Sequence, residues 1–121
     1  MENAINWFDI PASDYPRALK FYNTILGKDL IPMQGMENYA MFPADQDAVS
    51  GGMGIMDTPK PGGDSGSLVY LNGGDNLSTI LDRVEGAGGT VVKPKMSIGP
   101  NGFIAIFRDT EGNLIGLHSM Q

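Results

Sequence analysis

The chain of 121 residues contains no cysteine, so disulfide bridges, zinc–thiolate sites and thiol nucleophiles are excluded. This composition suits a reducing compartment. No apolar run approaches the roughly 18 residues needed to cross a membrane. The first residues also lack the basic region and the apolar run of a signal peptide. These absences predict a cytoplasmic protein without a membrane partner.

Basic residues are scarce, because 8 Lys and Arg stand against 14 Asp and Glu and the net charge is −6. Nucleic acids and anionic lipid surfaces select proteins with a basic face, so neither is an expected partner. An acidic chain is compatible with a cationic ligand, but mild acidity also serves solubility alone.

Glycine and proline are plentiful, at 17 and 8 residues, which predicts many tight turns and short strands rather than a helical bundle. In the first half, Asp14 is a plausible N-cap, Pro16 fits the first helical turn and Gly27 is a typical helix end. The sequence therefore predicts a helix ending at Leu26, with strands over residues 5–12, 29–33, 38–42 and 50–56.

The second half repeats this order. Asn76 is the predicted cap of a second helix, which carries an apolar stripe from Leu77 to Ala87 and ends at Gly88. Strands are expected over residues 67–71, 90–93, 103–107 and 114–118, with a loop over residues 94–101. The two predicted caps are separated by the same number of residues as Gly27 and Gly89, which indicates two copies of one β-α-β-β-β unit.

The repeat predicts an α+β fold in which two βαβββ units form curled mixed sheets around a cleft, with the helices outside. We expect one domain over residues 1–121. It divides into a first unit over residues 1–57, a linker over residues 58–66 and a second unit over residues 67–121.

Four segments carry a recognisable pattern within the two βαβββ units, at residues 8–11, 14–22, 81–89 and 109–113. Together they resemble a known superfamily, the vicinal oxygen chelate proteins. It includes glyoxalase I, extradiol dioxygenases, methylmalonyl-CoA epimerase, and the bleomycin and fosfomycin resistance proteins. The chain is most similar to small bacterial members of the glyoxalase and bleomycin resistance type, which implies a homodimer with clefts formed by curled sheets.

The resemblance also implies where a divalent metal would bind. Catalytic members hold it with a His or Gln early in the first strand of each unit and a Glu late in the last strand. Here these positions fall on Trp7, Val69, Gly52 and Gly116, none of which offers a metal-binding side chain. We therefore expect no metal of the usual kind and no cofactor.

Strand alternation predicts which side chains would line the cleft instead. Trp7 and Asp9 share one face of the first strand, Gly116 and His118 share one face of the last, and the glycines leave room for a ligand. The predicted ligand-binding residues are Trp7, Asp9, Tyr39, Met41, Gly52, Tyr70, Gly116 and His118.

Asp9 and His118 are also the candidate catalytic residues. As a pair they fit a polar contact beside an aromatic wall, a general acid and base, or an unusual metal dyad. His118 equally fits a structural histidine, and Trp7 equally fits the core.

Three functional interpretations remain open. The favoured one is a metal-free protein that binds a small, partly aromatic or cationic molecule in a dimer cleft. The alternative is an enzyme of lyase, isomerase or dioxygenase type. It would use a non-standard metal site or acid–base catalysis by His118 and Asp9. The third is an interaction module whose cleft is filled by its own side chains.

Overall fold

The computed structural model describes residues 5–64 and 66–121. Residues 1–4 of the predicted first unit and Ser65 of the predicted linker lie outside the described residues. The first unit contains β1 (Asp9–Pro11), α1 (Tyr15–Leu26), β2 (Ile31–Pro32), β3 (Tyr39–Met41) and β4 (Gly52–Gly54). The second contains β5 (Val69–Asn72), α2 (Ser78–Val84), β6 (Thr90–Ser97), β7 (Phe103–Arg108) and β8 (Leu114–Ser119). The predicted β-α-β-β-β order is confirmed in both halves.

Each unit forms its own four-stranded sheet. The strand orders are β1-β4-β3-β2 and β5-β8-β7-β6. The first and last strands of each unit pair in parallel, and the remaining neighbours are antiparallel. The predicted fold class, an α+β protein with two mixed sheets, is therefore confirmed.

Helix α1 has the predicted bounds because its two ends are encoded locally. The Asp14 carboxylate accepts a hydrogen bond from the Arg17 N–H at 3.1 Å, which satisfies one of the free donors of the first turn. At the other end, Gly27 adopts a φ of 67°, a left-handed conformation that a glycine takes without steric cost.

Several expected boundaries are wrong, and one is the end of the second helix, which was expected at Gly88 and lies at Val84. The predicted strand over residues 5–12 shrinks to Asp9–Pro11, because its partner β4 is only three residues long. The second helix begins at Ser78. The Asn76 side chain accepts from the Ser78 N–H, but Leu77 lies between them.

Another boundary concerns β6, which continues to Ser97 where a loop was expected. Pro94 lacks an N–H, and shifts in register between Val91 and Lys93 and between Lys93 and Met96 carry the strand past it. A short 3₁₀ turn at Gly99–Asn101 follows.

The core lies between the helices and one face of each sheet. In the first sheet Ala40 and Met53 are registered partners, and both are fully buried. In the second sheet Ala105 and Leu117 are paired in the same way. Because strand residues alternate, the neighbouring residues of these strands lie on the opposite, open face. The largest fully buried side chains are Tyr22, Phe21, Phe107, Ile10, Ile25, Met53, Leu77, Leu117 and Val84.

The turn between β7 and β8 ties the second unit to the first through Glu111. Its Oε1 accepts from the N–H groups of Ser13 and Asp14, at 2.8 Å each, and its Oε2 accepts from Arg17 Nε at 2.8 Å. A carboxylate at this place satisfies donors ahead of the first turn of α1 and interacts favourably with the helix dipole.

Asp109 and Asn113 complete this connection. Tyr22 Oη donates to Asp109 Oδ2 at 2.7 Å, and Asn113 Nδ2 donates to the Pro11 carbonyl at 2.7 Å. Burial raises the pKa of Asp109, although hydrogen bonds from Tyr22 and Asn113 act in the opposite direction. Burial also raises the pKa of Tyr22 well above its ordinary value, so this phenol remains a donor.

No helix among the described residues is long and apolar enough to cross a membrane.

The Glu111 contacts predict an acid dependence of stability. Burial alone would raise the pKa of Glu111, but hydrogen bonds from Arg17 and from the N–H groups of Asp14 and Ser13 lower it to about 2. Because the folded pKa lies below the unfolded one, the ionised carboxylate stabilises the fold above about pH 4.5. This contribution is lost as the pH falls towards 2.

We expect Glu111→Gln to lower the free energy of unfolding at pH 7 by about 2 kcal/mol, since hydrogen bonds to a charged acceptor are weakened. The difference from wild type should shrink between about pH 4.5 and pH 2, as urea denaturation at several pH values would show. Glu37→Gln, at an exposed position, is the matched control. A constant difference at every pH would contradict the assignment.

Candidate functional site

Trp7, Asp9 and Tyr39 form a hydrogen-bonded cluster on the open face of the first sheet. Tyr39 Oη donates to Asp9 Oδ1 at 2.5 Å. Trp7 Nε1 donates to Tyr39 Oη at 3.0 Å and to Asp9 Oδ1 at 3.3 Å. The three residues that the sequence placed on one cleft face are therefore in direct contact.

Gly52 makes room for this cluster. Asp9 is its registered partner on β1, and Tyr39 is the partner of Gly54 on β3. A Cβ built on Gly52 would overlap the phenol ring of Tyr39. Gly52 occupies the position where the resemblance implied a glutamate ligand, so a tyrosine ring fills the space that such a side chain would need.

The phenol of Tyr39 acts as a donor in this cluster. Its side chain is largely buried, and burial raises its pKa to about 12. The hydrogen bond to Asp9 acts in the same direction, whereas the bond from Trp7 lowers the pKa. At neutral pH Tyr39 therefore keeps its proton and donates it in the hydrogen bond to Asp9.

The cluster forms one wall of a hollow of about 340 Å³. Trp7 presents 43% of its surface to solvent there, so it is not a core residue. Five lining residues were missed by the sequence analysis. These are Met33, Met36, Ile55, Met56 and Thr58. Three of them fall in segments predicted as strands, but the observed strands β2 and β4 end before them, and the other two lie in the turn after β2 and in the predicted linker. Met41 pairs with Gly52 on the same open face but does not line the hollow.

Asp9 also lines a second hollow, of about 490 Å³. This hollow lies between β1, the segment that leads into β5, and the start of β8. The segment is held by the Gly62 N–H, which donates to Asn113 Oδ1 at 2.9 Å, and by an ion pair between Asp64 and Arg108 at 2.7 Å. The carboxylate of Asp9 thus stands between two concave surfaces.

In the second sheet a tyrosine ring again lies over a glycine, as Tyr39 lies over Gly52 in the first. Tyr70 pairs with Gly116, and a Cβ on Gly116 would overlap its ring. Tyr70 is 45% exposed, and its hydroxyl group makes no hydrogen bond among the described residues, unlike that of Tyr39. Val69, the other position implied for a metal ligand, packs against the core instead.

His118 lies on the same open face of the second sheet as Gly116. Its Nε2 is 2.7 Å from the Asn101 carbonyl oxygen. Because a carbonyl oxygen only accepts, the ring donates through its Nε2–H in this contact. No hydrogen bond among the described residues joins His118 to Asp9, and the two candidates belong to different sheets.

The positions that the resemblance implied for a divalent metal do not fit one. Within residues 5–64 and 66–121, no three His, Cys, Asp or Glu side chains converge as a metal site would require. The nearest carboxylate, that of Asp9, is already hydrogen-bonded to Tyr39 and Trp7. Carboxylate and imidazole ligands for such an ion are therefore not assembled here.

A profile of the glyoxalase/bleomycin resistance protein/dioxygenase superfamily matches residues 4–117. The chain belongs to this superfamily. The resemblance found in the sequence is thereby confirmed, and with it the kind of fold.

Individual members of the superfamily extend this comparison. A glyoxylase-like domain-containing protein of Didymella fabae is 31% identical over 93% of this chain and 91% of its own length. The putative glyoxylase CFP32 of Mycobacterium bovis is 30% identical over 93% of this chain, which spans only 44% of that relative. The crystal structure of TnmS3, an antibiotic binding protein from Streptomyces sp. CB03234, is 27% identical, with a TM-score of 0.66 over 98% of this chain and 97% of its own.

The two glycines predict different outcomes for the same substitution. Gly52→Ala should displace the buried, hydrogen-bonded Tyr39 ring, lower the free energy of unfolding by about 1–3 kcal/mol and shift the emission of Trp7. Gly116→Ala should lower the free energy of unfolding by a smaller amount, because the exposed Tyr70 ring is free to rotate outward. It should also leave the emission of Trp7 unchanged. Since Trp7 is the only tryptophan, fluorescence and thermal denaturation check both variants. Equal emission shifts in the two variants would contradict the arrangement.

Proposed function

We propose that this chain is a binding protein for a small organic molecule that carries an aromatic ring and a positively charged group. The observation that supports it most is the Trp7–Asp9–Tyr39 cluster beside the hollow of about 340 Å³. Small-molecule sites commonly measure about 300–1,000 Å³ and combine apolar walls with a few oriented polar groups. This hollow has both features.

The chemistry of the walls favours that ligand class. Trp7 offers an exposed indole, which is the best aromatic surface for stacking and for a cation. Asp9 supplies an anionic oxygen, because only its Oδ1 is used in hydrogen bonds among the described residues. The methionine side chains adapt to flat aromatic groups and make favourable sulfur–aromatic contacts.

The comparison with TnmS3 supports binding rather than turnover, since that protein is named for binding an antibiotic. The enzyme alternative finds less support. His118 is held by Asn101 and not by Asp9, and the metal-ligand positions carry Trp7, Gly52 and Gly116. Binding in this hollow requires neither a proton transfer nor a metal.

We also propose that the protein works as a homodimer, as its superfamily resemblance implies. The open face of the second sheet carries apolar side chains that the fold does not cover, including Tyr70 and Met96, 45% and 49% exposed. A second copy would cover this face. It would also bring Tyr70, Gly116 and His118 to the rim of a partner's hollow, which would complete the predicted ligand-binding set.

Ligand binding is tested with two aromatic probes of opposite charge. Ethidium, an aromatic cation, should bind and quench Trp7, whereas the anion 1-anilinonaphthalene-8-sulfonate should bind more weakly. Asp9→Asn should weaken ethidium binding about tenfold, or about 1.4 kcal/mol, because the negative charge is lost. Titration calorimetry measures the affinities.

Asp82→Asn, which removes an exposed carboxylate on α2, is the charge-matched control and should bind ethidium like wild type. Equal affinities of the Asp9 and Asp82 variants, or stronger binding of the anionic probe, would refute the proposal.

The dimer is tested separately. Tyr70→Asp should place a charge in the proposed contact and shift the chain from dimer to monomer in sedimentation velocity runs. Val49→Asp, at an exposed loop position on the first unit, should stay dimeric. A monomeric wild type would contradict the dimer and leave the ligand experiment unaffected.

A further inference from the structure

Three methionines line the same hollow as Trp7. They are Met33, Met36 and Met56, out of eight in the chain. With no cysteine in the sequence and His118 on the other sheet, thioethers are the soft metal ligands available here. A soft, monovalent metal ion was not among the ligands suggested by the sequence pattern.

Met33 and Met36 are brought together by a turn. The Met36 N–H donates to the Met33 carbonyl at 3.4 Å, and Gly35 has a φ of 84°. This is the geometry of a type II turn, in which the third position favours glycine and the first and fourth Cα atoms lie within about 7 Å. The two methionines therefore enter the hollow from neighbouring points of the backbone.

Met56 enters from a different segment. It follows β4, and the preceding residue, Ile55, donates its N–H to the Asn38 carbonyl at 3.0 Å. This bond fixes the chain after β4 against the loop that contains the Met33–Met36 turn. Methionines from two separate segments thus line one concave space, with Trp7 as a further wall.

We propose that this hollow binds one Cu(I) ion through the thioethers of Met33, Met36 and Met56, with the indole of Trp7 beside it. Thioethers are neutral, soft donors that select Cu(I) over hard divalent ions. The Trp7 ring attracts a cation through its face, and the nearby Asp9 carboxylate favours a positive charge. Met36 is 50% exposed and Met33 and Met56 are half-buried, so an ion reaches the sulfur atoms from solution.

The proposal is independent of the organic ligand. Cu(I) requires the sulfur atoms of the methionine side chains as ligands, and Ag(I) shares this requirement. Leucine keeps the volume and removes the sulfur, usually at small cost to stability. The triple variant Met33→Leu/Met36→Leu/Met56→Leu therefore removes the proposed ligands of the ion and keeps the shape of the hollow.

The test is a titration of the full chain with Ag(I), a soft monovalent ion that is stable in air, followed by Trp7 fluorescence. Cu(I) is then titrated under anaerobic conditions. We expect one ion per chain, quenching of Trp7, and at least a tenfold loss of affinity in the triple variant. Met96→Leu/Met120→Leu, which changes two exposed methionines elsewhere, should bind like wild type.

Three results would overturn the proposal. They are the absence of quenching in wild type, equal Ag(I) affinity in the triple variant, and a Cu(I) X-ray absorption spectrum without sulfur neighbours. If the triple variant fails to fold, Met36→Leu alone decides the matter. It changes the most exposed of the three residues, and it should weaken Ag(I) binding at least threefold. An unchanged affinity in this variant would count against the site.

Discussion

The ionised carboxylate of Glu111 is the contact on which the arrangement of the two units depends. The Glu111 side chain extends from the turn between β7 and β8 to the N–H groups that precede α1, and it also accepts a hydrogen bond from Arg17. One side chain of the second unit thereby accepts hydrogen bonds at the N-terminus of the helix of the first unit. A buried charge is tolerated at this place because each of its oxygens has donors. The acceptor belongs to the second unit and the donors belong to the first. The turn that carries Glu111 therefore helps to determine how the two units pair.

This constraint extends to the candidate site through β1. Asn113, in the same turn, holds the Pro11 carbonyl, and Asp9 lies two residues earlier on the same short strand. Fixing β1 fixes Asp9, and Tyr39 and Trp7 gather around its carboxylate. The site therefore stands at the end of a chain of contacts that starts in the buried turn.

The sequence predicted best what is encoded locally. Helix α1 was correct at both ends because Asp14 and Gly27 act within one turn of the helix. Strand alternation placed Trp7 and Asp9 on one face of the predicted first strand, but it did not predict the hydrogen bonds that join them to Tyr39. The methionines of the hollow were missed because residues 29–33 and 50–56 were predicted as strands, whereas Met33 and Met56 follow the ends of β2 and β4. The extension of β6 was missed because a proline usually ends a strand, and the bulges that carry it past Pro94 depend on its partner β7. His118 was grouped with Asp9 on the basis of strand alternation. This alternation predicts which face of its sheet a residue lies on, but it does not predict which faces of two sheets lie next to each other.

Prolines in the outermost strands have a consequence for how this protein meets its own copies. Pro11, Pro32 and Pro94 lie in β1, β2 and β6, which are three of the four edge strands. A proline offers no N–H, so these edges cannot present an unbroken ladder to a strand from another molecule. At these three edges the chain thus resists edge-to-edge growth into extended β-aggregates, which leaves β5 as the edge strand without a proline.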